Sequence, residues 1–239
     1  MRYFVTLFCY VVANLFVTFV VAQPPKSSVQ LAAEKLLREM PVRIYNGKAN
    51  ESDLRECVKF IDIAQNDNAR RPFILLAAQY NRITLNKPER ALAIVAPYLI
   101  GAERAKSWQK SNDDAVKVVN AKWTKEVAAA KREKQDPPKQ PPQYQVELPP
   151  PREWTIDETT ALFAVEAAAC FAAFDKTQRA IEIIDIVGKN YKDETRVLAA
   201  ECGADLFLQT KLYGRAVEFY KFAIDVLGSL KQRVYEPGE

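Results

Sequence analysis

The chain has 239 residues with 34 Lys and Arg, 30 Asp and Glu, four Cys, seven Gly and no His, for a formal net charge of +4. Without histidine there is no His-based triad, no His general base and no His metal ligand, and the few scattered glycines form no G-x-G-x-x-G turn or phosphate-cradling loop. A charge of +4 spread over this length supports solubility and does not mark a nucleic-acid binder.

Arg2 precedes an apolar run, Tyr3 to Ala22, broken only by Thr6, Asn14 and Thr18. The run ends Val20-Val21-Ala22 ahead of Gln23-Pro24-Pro25, the pattern of a signal-peptidase site after Ala22. At about 20 residues it also has bilayer-spanning length. Residues 1–22 therefore read as a cleaved signal peptide or as a retained N-terminal anchor. Either reading puts the remainder outside the cytoplasm, in a periplasmic, extracellular or lumenal space. Membrane contact is expected only through residues 3–22, if they are retained. Beyond Ala22 the cysteines are Cys57, Cys170 and Cys202, too odd a set for a complete disulfide framework and without C-x-x-C spacing. They read as buried small apolar residues, and neither a metal nor a cofactor is implied.

Residues 23–110 read as a helical block. Val29, Ala32, Ala33, Leu36, Leu37 and Met40 share one helical face. Pro41 is expected to end that helix, with a loop over 42–49. Asn50 or Ser52 can cap the next helix, with Leu54, Cys57, Val58, Ile61 and Ala64 as its buried stripe. Asn50-Glu51-Ser52 also has the form of a glycosylation sequon. A turn at 65–68 leads to a third helix, from about Arg71 to Ile83. A fourth runs from about Pro88 to Ile100, with Pro88 suited to a first turn.

Ser111 to Gln135 predicts a polar helix with a narrow apolar seam of Val116, Val119, Trp123, Val127 and Ala130. Such a helix is either an arm that grips a partner or a solvated helix lying along this same chain. Residues 136–153 hold half the prolines of the protein and read as a semi-rigid polyproline II linker between two helical blocks. Pro149-Pro150-Pro151 could instead dock an aromatic groove.

The second block, residues 154–230, opens at Trp154 with Thr155 and Glu158 spaced as a capping box; residues 231–239 form a tail. Within the block, a shift of 36 residues brings Ala168 onto Ala204, Phe171 onto Phe207, Ala180 onto Ala216, Ile181 onto Val217, Ile184 onto Tyr220 and Val187 onto Ala223. Small falls on small and large on large. A period of this size with two helices per unit is the sequence mark of an α-solenoid, in which no unit buries its own apolar face and each stacks on the next.

Leu206-Phe207-Leu208 followed by Tyr213-Gly214-Arg215-Ala216-Val217-Glu218-Phe219-Tyr220-Lys221-Phe222-Ala223 resembles the tetratricopeptide (TPR) repeat. Ala204, Phe207, Tyr213, Ala216, Tyr220 and Ala223 match its small-and-aromatic pattern. Leu162 to Asp193 matches through Ala168, Phe171 and Ala180, with Val187 in place of a small residue. Ala77 to Leu99 resembles a fainter third unit. The family's usual Gly before the turn and Pro at the unit's end are missing.

The resemblance implies an all-α solenoid of antiparallel helix pairs and a non-enzymatic binding scaffold whose first helices line a concave groove. By register that groove presents Leu162, Val165, Ala169 and Ala172 from one unit and Leu198, Glu201, Asp205 and Leu208 from the next. Because Glu201 and Asp205 are acidic, the implied ligand is an apolar or basic-apolar protein segment, not an acidic C-terminus and not nucleic acid. The chain's own linker or polar helix could fill the same groove. The register also sets Cys170 and Cys202 on neighbouring first helices, roughly 8–10 Å apart and one turn out of step, so no bridge between them is expected.

Two other readings compete. An enzyme would need carboxylates such as Asp157 with Glu158, or Glu182 with Asp185, but the first pair suits a helix N-terminus and the second an exposed helix face, with nothing to separate their pKa values. A structural subunit of a membrane-attached envelope complex would share the scaffold and differ by keeping residues 3–22 as its tether.

Overall fold

The computed structural model describes residues 27–190, 193–209 and 213–235, apart from the side chains of 190, 193, 194, 198, 201, 205, 206, 209 and 226–235. The apolar run 3–22, and with it the choice between signal and anchor, lies outside the described residues. Those described form nine α-helices and no strand.

Helix α1 (Ser28–Tyr45) begins at a capping box in which the Ser27 hydroxyl accepts from the Gln30 N–H and Gln30 accepts from the Ser27 N–H. It does not end at Pro41 as the sequence predicts. The ring removes one backbone donor, but the stripe of Leu36, Met40 and Ile44 continues across it into the core. Arg43 fixes the last turn by bonding Glu39 at 2.6 Å and the buried Asp53 at 2.5 Å. Helix α2 (Glu51–Ile63) is capped by Asn50, with Asp53 reaching back to the Asn50 N–H. Cys57 and Phe60 are buried, whereas Val58, placed on the buried stripe by periodicity, faces solvent.

Helix α3 (Asp67–Gln79) starts four residues before the expected Arg71, because the Asn66 side chain caps it through the Ala69 N–H. A wide π-turn, Tyr80–Thr84, follows. Helix α4 (Pro88–Ile100) has the expected bounds and is buried through Ala91, Leu92, Val95, Ala96 and Leu99. Gly101 then adopts φ 84°, which a side chain would strain, and the chain turns directly into α5 (Ala102–Arg132). The polar helix is thus one 31-residue element that starts well before Ser111. Ala105, Trp108, Asn112 and Ala130 are its buried residues.

Residues 136–150 form neither helix nor strand and lead through a short turn, Pro151–Glu153, to α6 (Ala161–Ala173). The expected Thr155–Glu158 capping box is not formed. Asp157 instead closes the turn 158–160 ahead of α6: its carboxylate accepts from the Thr159 and Thr160 N–H groups, and its own N–H donates to the Thr160 hydroxyl. Helices α7 (Thr177–Asn190), α8 (Asp193–Gln209) and α9 (Tyr213–Tyr235) complete the chain, with α9 running past the expected end of the repeat block at 230.

The neighbours repeat in order. α1 packs on α2, α3 on α4, α6 on α7 and α8 on α9. The second helix of each pair touches the first helix of the next, as α2 with α3, α4 with α6 and α7 with α8; the first helices also touch, as α1 with α3, α3 with α6 and α6 with α8. Helix α5 and the proline-rich segment are inserted between α4 and α6. One core runs from α4 through α6 and α7 into α8 and α9, and a second joins α1, α2 and α3 around Met40, Cys57 and Phe73.

Candidate functional site: one face of α6 and a proline-rich strap

Helix α6 lies between α4, α7 and α8 and carries a single charge, Glu166. From Ala161 to Ala172, only Leu162, Val165, Ala169 and Ala172 are half-buried; every other residue is buried. These four recur at three- and four-residue spacing and so form one strip along the helix. On α8, Leu208 is exposed. Leu198, Glu201 and Asp205 have helical backbone, but their side chains lie outside the described residues.

The residues assigned to repeat packing are placed as follows. Ala168, Phe171, Ala180, Ala204, Phe207, Ala216 and Ala223 are buried, and Tyr220 is half-buried. Phe207 meets Phe219 edge-on at 5.0 Å, and the Arg215 guanidinium sits 4.5 Å over the Phe207 ring. The tightest approach falls on a neighbour the sequence did not single out. A Cβ at Gly203 would lie 2.8 Å from Ile184 Cγ2 and 2.9 Å from the Phe219 ring. The missing side chain is what lets α7, α8 and α9 meet there.

Glu166 is held from behind the strip. Arg82, presented by the π-turn, donates from Nε at 2.7 Å and from Nη2 at 2.9 Å to its two carboxylate oxygens. Burial opposes the Arg82 charge, but the Glu166 carboxylate more than offsets it and holds the guanidinium pKa above its ordinary value. Next to it, burial raises the Cys170 thiol well above its usual range, with the Glu166 charge adding to the effect. None of the three described cysteines, Cys57, Cys170 and Cys202, is in a disulfide.

The proline-rich segment is not a bare spacer. Its backbone lies on aromatic and amide side chains of its own chain. All three tryptophans donate their indole N–H to its carbonyls: Trp108 to Val146 at 2.7 Å, Trp123 to Pro138 at 3.0 Å and Trp154 to Pro149 at 2.8 Å. Asn112 accepts from the Gln145 and Val146 N–H groups and donates to the Gln143 carbonyl. Arg179 bonds the Leu148 and Pro149 carbonyls while lying over the rings of Trp154 and Phe171. Tyr144 is buried, stacked on Phe174 at 4.6 Å and edge-on to Phe171 at 5.7 Å. Its burial raises the phenol pKa. Glu147 shifts the other way: partial burial would raise it, but hydrogen bonds from Lys176 and Tyr144 and the nearby Lys176 and Arg179 charges lower it.

The strap thus fastens α5 to the α6–α7 turn through Tyr144, Lys176 and Arg179. Sequence reasoning missed these anchors. The available signal was that every tryptophan flanks the proline-rich stretch, and a buried indole N–H requires an acceptor.

One carboxylate of each candidate pair is otherwise engaged. Asp157 closes the turn before α6, and hydrogen bonds from Thr159 first of all hold its pKa below the usual value. Asp185 faces Arg215 at 3.5 Å. Among the described residues no group of His, Cys, Asp or Glu is arranged to hold a metal ion, and no helix is long and apolar enough to cross a membrane. No protein-family model, curated protein or solved structure matches the chain.

Proposed function

We propose that this protein is a TPR-like helical scaffold that binds another protein, without catalysis of its own. The observation that carries the reading is the repeated neighbour order of four helix pairs, in which each second helix rests on the next first helix. Stacked pairs of this kind present their first helices along one continuous surface. On α6 that surface is the half-buried strip of Leu162, Val165, Ala169 and Ala172. Glu201 and Asp205 on α8 would favour a basic-apolar ligand. The strap and α5 are fastened to each other, to Lys176 at the α6–α7 turn and to Arg179 of α7. The apolar run at 3–22 supports an exported location.

A tethered form is the second reading. Val29 and Leu31, in the first turns of α1 and shortly after that run in sequence, are exposed, which supports a helix leading from a membrane anchor. Fractionation separates the two: a soluble species beginning at Gln23 excludes the tether.

The scaffold reading is tested by crosslinking pull-down from the producing cells, with the full chain as bait beside a Glu201→Lys/Asp205→Lys variant. A protein captured by the first and lost from the second is the expected result. The same proteins on both baits would overturn the groove assignment.

A further inference from the structure

The arm made by α5 and the strap carries the surplus charge of the protein. Beyond Asn112, among the described residues, every side-chain hydrogen bond from α5 to another part of the chain goes to the strap, from Asn120 to Gln143 and from Trp123 to Pro138. The helix runs about 30 Å from Asn112 to Arg132, and over that length only Ala130 is buried. Seven cations and three acids stand between Lys117 and Lys139, all of them exposed, a surplus of four that equals the formal net charge of the whole chain. Lys117 pairs with Asp114 and Lys122 with Glu126. Among the described residues Lys125, Lys131, Arg132, Lys134 and Lys139 form no ion pair, and the acids left beside them are Glu133 and Asp136.

Two of these charges have an ordinary reason. Lys131 and Arg132 lie in the last turn of α5, where cations complement the helix dipole. Lys125 and Lys139 do not share it. Lys134 stands at φ 54°, the left-handed conformation that glycine normally takes just past a helix, so a cation is kept there against a backbone preference. We propose that the end of this arm docks on an anionic lipid surface, where its lysines and Arg132 pair with headgroup phosphates.

A protein partner would need an apolar anchor at the centre of its contact. The end of the arm offers none: the exposed large apolar residue of α5 is Val118, about 20 Å before Arg132 along the helix. Nor do the cations form one line. Lys125 and Arg132 share a face of α5, Lys131 lies about 100° around from Arg132, and Lys134 and Lys139 come from the turn and the strap. Charges spread around a tip suit a broad anionic surface, and an exported or tethered chain meets a bilayer in place of nucleic acid. That choice rests on the exported location and not on the α6 strip. The contact adds to any made through residues 3–22 and does not need it. Each cation near an anionic bilayer strengthens association about 5-fold. Three in surplus at the tip give a preference for anionic over neutral vesicles on the order of 100-fold at low salt.

The test is trypsin cleavage of the full chain with vesicles of phosphatidylcholine alone or of phosphatidylcholine mixed equally with phosphatidylglycerol. Cleavage after Lys131, Arg132 and Lys134 is read against cleavage after Lys48, in the loop before α2. Insertion through residues 3–22, where they are kept, is common to both vesicles. At low salt the mixed vesicles should slow cleavage at the tip at least ~10-fold relative to neutral ones. Salt at ~1 M, where screening acts within about 3 Å, should abolish the difference. Lys125→Glu/Lys139→Glu keeps all three cleavage sites, turns the surplus negative and should lose the protection. Glu133→Gln/Asp136→Asn should be protected at a vesicle concentration at least ~5-fold lower than wild type. Lys134→Gly, which relieves the left-handed backbone, should need ~5-fold more vesicles without melting lower. The substituted side chains are all exposed, so unchanged thermal melts report intact folds. Equal cleavage with both vesicles overturns the proposal, as does protection that the charge-reversed variant keeps. Stronger protection by polyglutamate or duplex DNA at equal charge assigns the surface to an acidic protein or to nucleic acid and overturns it likewise.

Discussion

Arg82 and Glu166, 84 residues apart, form a two-point ion pair between the π-turn after α3 and the centre of α6, with Nε–Oε1 at 2.7 Å and Nη2–Oε2 at 2.9 Å. Glu166 is buried and Arg82 nearly so. Removing one partner strands the other charge in the core, which costs about 3–5 kcal/mol, whereas replacing both with apolar residues of similar volume is close to neutral. Arg82→Ala and Glu166→Ala should therefore each lower the urea midpoint sharply, while Arg82→Met/Glu166→Leu should lie near wild type. Equal losses in all three would show that the pair itself stabilises the fold.

Gly203 sets the distance between three helices. Alanine there gains roughly 1 kcal/mol of helix propensity but forces Ile184 and the Phe219 ring to give way, an overpacking cost of about 1–3 kcal/mol. The account predicts that packing wins and Gly203→Ala lowers the melting temperature. Gly203→Leu should lower it much further. A Gly203→Ala variant more stable than wild type would mean that Ile184 and Phe219 yield freely.

Asn112 holds the strap by three hydrogen bonds. Asn112→Ala leaves the Gln145 and Val146 N–H groups without acceptors, at roughly 1–3 kcal/mol for an unsatisfied buried group. Amide exchange at Gln145 and Val146 should speed up at least ~10-fold, and proteolysis within 136–150 should begin, while amides of α6 and α8 stay protected. Unchanged exchange at both amides would show that the tryptophans suffice.

Burial first, then the charges of Asp53 and Glu56, push the Cys57 thiol up to about 12 from an ordinary 9.0. The sign follows directly. Between those values the unfolded thiol has lost its proton and the folded one has kept it, so stability is full below about pH 9 and falls as pH rises towards 12. Wild type should lose stability over this window more steeply than Cys57→Ala, by up to about 1.4 kcal/mol per pH unit. Native alkylation at pH 8 should also spare Cys57. Parallel pH slopes in the two chains would contradict the shift.

Much of the architecture is legible because helix formation here rests on periodicity. The Leu92, Val95, Ala96 and Leu99 stripe and the Ala168–Ala204 and Phe171–Phe207 equivalences are local or regularly spaced. What escapes is set by contacts without period. Pro41 is tolerated because Met40 and Ile44 have a core to fill on either side of it. Proline content announces an extended segment but not the surface beneath it, so the strap's seat on Trp108, Asn112 and Tyr144 could not be placed. Glu166 did leave a trace, as the lone charge in an otherwise apolar helix, which requires a partner; that the partner is Arg82 depends on how the π-turn after α3 packs against α6.

The most direct test of the scaffold account is a photocrosslinking amino acid at Ala169, with a second chain carrying it at the exposed Val118 on α5 as a control. Ala169 lies in the half-buried strip of α6. In the producing cells the account predicts one intermolecular adduct from position 169, to an apolar or basic-apolar segment, absent from position 118 and lost with Glu201→Lys/Asp205→Lys. Only intramolecular adducts from position 169, or the same adducts from both positions, would contradict it.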